Sequence, residues 1–255
     1  CTIARSGTQA FVDGLSGDAE KDQSLIGQFG VGFYSAFMVA DEVRVLTLKA
    51  GAEAAYLWTS DGKGGFTIEE AERDGPGTTV TVHLAKGEKE FTDPERLGHL
   101  VKTYSDHIPI PIRLGEDTLN EAGALWTRDK KGITDDQYKE FYHHAGHAFD
   151  DPWMVLHNRV EGVLSYINLL FVPSVRPFDL YQAERKQRVK LYVKRVFITD
   201  DCEDLLPAYL RFMRGIVDSE DLALNISREM LQNDPKLAKI RSGLVKRVLG
   251  QLKKK

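Results

Sequence analysis

Cysteine is nearly absent. The 255-residue chain holds two, Cys1 and Cys202, too few for a disulfide framework and suited to a reducing compartment. Long hydrophobic runs are lacking too: the longest, Ile167 to Val172, is strand-length and far short of the roughly 18 residues of a membrane span. The N-terminus has neither a basic nor an apolar segment, so no export signal is read, and a cytoplasmic protein with no membrane partner is expected. Nor is there an excess of positive charge. With 34 Lys and Arg against 38 Asp and Glu, the net charge of −4 gives no long-range pull on a polyanion, and no nucleic-acid partner is expected. The chain opens at Cys1 without methionine and ends in Lys253-Lys254-Lys255 directly after a helical pattern, which reads as an interior piece of a longer protein.

What is present is ordinary for a globular protein, 42% hydrophobic and 28% charged residues, and the length fits two domains. Strand signals of period two recur at Val43 to Thr47, Tyr56 to Trp58, Phe66 to Ile68 and Val80 to Leu84, with Asp61-Gly62 and Gly64-Gly65 as turns, so an antiparallel sheet is expected. Phe33 to Ala40 reads as a buried helix, and Thr92-Asp93-Pro94-Glu95 opens another through Leu97, Leu100, Val101 and Tyr104. The prolines of Ile108 to Ile112 permit an edge strand at best. Residues 114–122 are polar and are read as a short linker between a domain at 1–113 and a domain at 123–255. In the second, Thr134-Asp135-Asp136-Gln137 caps a helix, Val163 to Val172 and Val189 to Ile198 read as long strands, and Leu205 to Val217 reads as a helix. Asp234-Pro235 starts a last helix with Leu237, Ile240, Leu244, Val248 and Leu252 at steps of three and four. The fold class is α+β, two sheets covered by helices.

Gly27-Gln28-Phe29-Gly30-Val31-Gly32 leads into the apolar run. A glycine-rich turn entering a helix presents successive N–H groups to a phosphate. The spacing G-x-x-G-x-G fits neither the P-loop nor the dinucleotide fingerprint, and glycines placed for close helix packing explain it equally well.

The residues around it go further. Thr2 to Thr8 and Ile26 to Ser35 closely resemble the nucleotide domain of the ninety-kilodalton heat-shock chaperone family, one branch of the GHKL ATPases. The resemblance continues through Tyr104 to Ile108, Ala124 to Arg128, Leu191 to Ile198 and Leu224 to Gln232, and so covers essentially the whole chain. The short link between domains is similar to the bacterial type. The resemblance implies the C-terminal half of a GHKL-type ATP-binding domain followed by the first α/β subdomain of the middle domain. It implies that the backbone of Gly30, Val31, Gly32 and Phe33 holds the ATP phosphates, with Gln28 and Phe29 alongside. Arg5 stands where the family usually has lysine, with Ser6 beside it, and Thr78 matches a threonine near the adenine. A strand-start threonine is the equal alternative for Thr78. Arg228 would reach the γ-phosphate from the second domain, with Gln232 nearby. Ser227 as N-cap with Glu229 balancing the arginine is the structural alternative.

By the same resemblance, the general base, the adenine-reading Asp and the main Mg²⁺ ligand lie upstream of Cys1, so no metal ligand is expected in this chain. The function implied is an ATP-driven chaperone, a homodimer when intact, closing on unfolded or partly folded client proteins. A DNA-acting GHKL ATPase and an inactive interaction module are the alternatives; an arginine rather than a lysine at Arg228 favours the chaperone. His143, His144 and His147 lack the Glu of H-E-x-x-H and read as a solvated helix face. The basic cluster from Arg185 to Arg195 reads as a charged hairpin. Phe149, Phe178 and Tyr181 read as satellite core or client contacts.

Overall fold

The computed structural model describes residues 32–182, 185–222, 224 and 234–255. The chain divides into two compact units, Cys1–Gly98 and His99–Lys255. The division falls within helix α1 (Pro94–Tyr104).

The first unit is built on four antiparallel strands: β1 (Ala40–Leu48), β2 (Ala55–Ser60), β3 (Thr67–Ala71) and β4 (Gly77–Leu84), in the order β3-β2-β1-β4. Register sets Val43 opposite Ser60 and Val82, Val45 opposite Trp58 and Val80, and Thr47 opposite Tyr56 and Thr78. Alternation puts these side chains on one face. The expected buried helix after the glycines is a 3-10 helix, Gly32–Met38, with no buried residue. Its Phe33 and Phe37 stand edge-on to Trp58, with ring centres 5.8 and 6.4 Å away. It therefore lies on the Val45–Thr78 face. At α1 the N-terminal cap differs from expectation. Asp93 accepts from the Glu95 N–H at 3.0 Å, whereas the Thr92 hydroxyl donates back to Lys89 O.

In the second unit, residues 108–112 form no strand; a small hairpin of β5 (Arg113–Leu114) and β6 (Asp117–Thr118) follows them. Asn120 closes that hairpin, accepting from Ile112 N at 2.8 Å and donating to Ile110 O at 2.9 Å. Then come α2 (Asp135–Gly146), β7 (Pro152–Val160), β8 (Tyr166–Pro173), β9 (Arg188–Val193), β10 (Val196–Thr199), β11 (Arg214–Ser219) and α3 (Pro235–Leu252). The capping box at Thr134 is formed in both directions, with Gln137 as its partner. The sheet order is β10-β9-β11-β8-β7. All neighbours are antiparallel except β9 and β11, which run parallel.

Two differences from the sequence expectation reshape this sheet. Val189 to Ile198 is a hairpin rather than one strand, turning at Lys194 and Arg195, both of positive φ (51° and 65°). The stretch read as a helix from Leu205 supplies only a 3-10 turn, Ala208–Leu210, and then β11, the strand between β8 and β9. Alternate residues of β8 feed two cores. Tyr166, Leu170 and Val172 join Leu237, Ile240, Leu244 and Val248 of α3, while Ile167, Leu169 and Phe171 join Trp126 and Tyr142. A strand buried on both faces must be continuously apolar, which explains the Ile167 to Val172 run.

Candidate functional site

Of the nucleotide residues expected from the sequence, Gly32, Phe33 and Thr78 fall among the described residues. Arg5, Ser6, Gln28, Phe29, Gly30, Val31, Arg228 and Gln232 lie outside them.

Gly32 has φ outside the left-handed region, and a Cβ added there would meet nothing within 4 Å. Neither backbone strain nor packing among the described residues calls for glycine at this position. The Phe33 ring packs edge-on against Trp58. The Ser35 hydroxyl bonds back to Gly32 O at 2.6 Å and fixes this turn.

Thr78 is exposed on β4, directly across from Thr47, and their hydroxyl oxygens are 2.8 Å apart. Thr47 also donates to Gly77 O at 3.3 Å. With that proton committed, Thr78 donates to Thr47 and keeps acceptor lone pairs for an incoming donor such as an amino group. Register thus puts Thr78 on the sheet face that the Gly32–Met38 helix covers, two residues along β4 from Val80, itself opposite the Val45 that pairs with Trp58.

In the second unit, hydrogen bonds fix the described residues on either side of 225–233. Before it, Leu222 is buried, and the Ser219 hydroxyl accepts from the N–H groups of Asp221 and Leu222, both at 3.3 Å. After it, Asp234 caps α3 by accepting from Lys236 N at 2.8 Å, and Lys236 Nζ reaches Asp221 O at 2.6 Å.

Sequence reasoning missed a buried polar group nearby. Asp218 accepts from Trp126 Nε1 at 2.8 Å and from Arg195 N at 3.2 Å, and burial pushes its carboxyl pKa up. Its bond to Arg195 N helps hold the Lys194–Arg195 turn in its left-handed conformation. His157 lies between Tyr138 Oη and Trp126 O, both 2.8 Å away, and burial lowers its pKa. A charged residue directly after the apolar Gly215 to Val217 stretch was the signal available for Asp218. His143 and His144 are exposed on α2, in line with the solvated-face reading, and His143 contacts Asp150 O at 3.0 Å. Phe149, Phe178 and Tyr181 are all well exposed rather than satellite core. Among the described residues no helix is long and apolar enough to cross a membrane.

Comparison with known proteins agrees with the sequence reading. The family model described as Hsp90 protein matches residues 115–255. A protein named Chaperone protein HtpG from Roseobacter denitrificans is 63% identical over 254 residues, covering 100% of this chain and 41% of its own length. Proteins of the same name from Paramagnetospirillum magneticum and Rhodospirillum rubrum are 61% and 60% identical, each matched over 100% of this chain and 42% of its own length. The chain thus spans about two fifths of the length of the curated relatives it matches.

Proposed function

The chain belongs to the Hsp90 protein family, and from that premise we propose that it is the central part of an ATP-dependent molecular chaperone of the bacterial type. The observation that carries this reading is identity above 60% along the entire chain with proteins named as HtpG chaperones. In this reading residues 1–113 are the C-terminal half of a GHKL-type ATP-binding domain, 114–122 a link, and 123–255 the start of the middle domain. The intact protein is a cytoplasmic homodimer that closes on unfolded or partly folded clients, with no nucleic acid or membrane as partner.

The backbone of Gly30, Val31, Gly32 and Phe33 would cradle the ATP phosphates, with Arg5, Ser6, Gln28 and Phe29 around them and Thr78 accepting from the adenine side. Gly32, where an added Cβ would meet no atom of the described residues within 4 Å, leaves its backbone open on that side to a ligand. Arg228 would place its guanidinium on the γ-phosphate, with Gln232 beside it, and stabilise the charge that builds there during transfer. Mg²⁺ would neutralise the phosphates; none of these residues is assigned as its ligand.

A version of the chain extended to the length of its relatives tests the reading. Expected is suppression of the heat aggregation of an unfolded enzyme that changes when ATP and Mg²⁺ are added, and that loses this nucleotide response in Gly32→Val. Protection indifferent to ATP in the parent would leave only an interaction module.

A further inference from the structure

We propose that Asp106, His107 and Glu121 form a site for a divalent transition-metal cation, with Zn²⁺ the ion their ligand chemistry fits. The site is separate from the nucleotide reading above. These three residues each offer a ligand atom, and the three atoms lie within 4.8 Å of one another. Tetrahedral Zn²⁺, bound at roughly 2.0–2.2 Å to nitrogen and oxygen, holds its ligand atoms about 3.4 Å apart. Closure therefore asks for about 1 Å of movement, which exposed Glu121 is free to make.

Two observations set this cluster apart from an acidic patch. His107 is 8% exposed, and its Nδ1 lies 3.0 Å from Gly123 O. That bond puts the ring proton on Nδ1 and leaves the Nε2 lone pair, which has no hydrogen bond among the described residues. Metal-bound histidines are oriented in this way, by a backbone carbonyl on the opposite nitrogen. The second observation is a cavity of about 320 Å³ lined by His107 and Glu121 together with Gln137, Glu140 and His144 of α2. It gives a hydrated ion access, and Glu140 and His144, four residues apart on one helix face, border it as outer partners.

Asp106, 6% exposed, already accepts at Oδ1 from Lys102 Nζ at 3.0 Å and from Glu121 N at 3.1 Å. A carboxylate has about four lone-pair sites, so Oδ2 remains for a metal. Lys102 is thus the resident cation that a metal must outcompete, and Arg128 on the cavity wall also opposes it. Affinity of roughly micromolar Kd is expected.

Calorimetric titration of the chain with ZnCl₂ alone is expected to show one strong site per chain. Glu121→Gln, an exposed change that leaves the fold intact, is expected to weaken it at least about tenfold. Lys102→Ala is expected to tighten it by removing the competitor. Absence of a site in the parent overturns the proposal. So does a loss of less than about tenfold in Glu121→Gln, which would move the metal to histidines such as His143 or His147. Failure of Lys102→Ala to tighten binding overturns it as well.

Discussion

Asp218 carries more of the second unit's specificity than its size implies. Its two acceptor bonds reach residues far apart in sequence, Trp126 and Arg195, and each satisfies a donor that would otherwise be stranded. Asp218→Ala is therefore expected to cost about 3 kcal/mol, from the lost bonds and the unpaired donors, read as a drop in the urea midpoint. A loss below about 1 kcal/mol would mean water replaces the carboxylate. Gly32 offers the opposite case. With no atom of the described residues where a Cβ would stand and no left-handed φ, Gly32→Val should change stability by less than about 0.5 kcal/mol while abolishing ATP binding in the extended protein. Unchanged ATP affinity by calorimetry would remove this loop from the site. For Arg228→Ala in the same protein, turnover at saturating ATP should fall more than about tenfold, with affinity little altered. Turnover within about twofold of the parent would exclude a role for this arginine in transfer.

At the scale of elements, β11 is the most informative. Leu205, Leu206, Leu210, Met213 and Val217 recur at steps near three and four, which reads as a helix face, and all of them do reach one core. They reach it instead from irregular turns (Leu205, Leu206, Met213), a 3-10 turn (Leu210) and a strand (Val217). Gly215 explains the choice: its φ is +122°, and a Cβ there would fall on Leu169 O of the neighbouring strand. Only glycine lets β11 lie close to β8 at this point. Gly215→Ala should thus cost at least about 2 kcal/mol, from strain and displacement of β8, measured by chemical denaturation. An alanine variant as stable as the parent would show that the two strands can separate without penalty.

For the molecule as a whole, buried histidines set a direction for pH dependence. Burial lowers the pKa of both His157 and His107 below 6.5, so the folded chain keeps them neutral where the unfolded chain protonates. Their contribution is fully present above pH 6.5 and is lost as pH falls toward the folded values. The urea midpoint should fall between about pH 7.5 and about pH 5.5, and less steeply in His157→Gln; an identical slope in that variant would exclude His157 as a source. The chain by itself should turn over no ATP, because in the family reading the general base and the adenine-reading Asp lie outside it. Magnesium-dependent hydrolysis by the purified chain would contradict that assignment.

The sequence alone determined the elements whose signals are local. The four strands of the first sheet follow from period-two alternation, α2 from its capping box, and α3 from Asp234-Pro235 and the spacing of Leu237, Ile240, Leu244 and Val248. Family membership was legible as well, because its motifs are contiguous runs. Tertiary structure decided what depends on partners distant in the chain. It turned an apparent helix into β11, since Gly215 matters only against Leu169, and made a hairpin of Val189 to Ile198, since two non-glycine residues stay left-handed only when Ser219 O and Asp218 receive their N–H groups. It also gathered Asp106, His107 and Glu121 around one point, by folding a polar stretch that has no period of its own back on the residues before it. Periodicity records which face a residue shows, but not what waits opposite it.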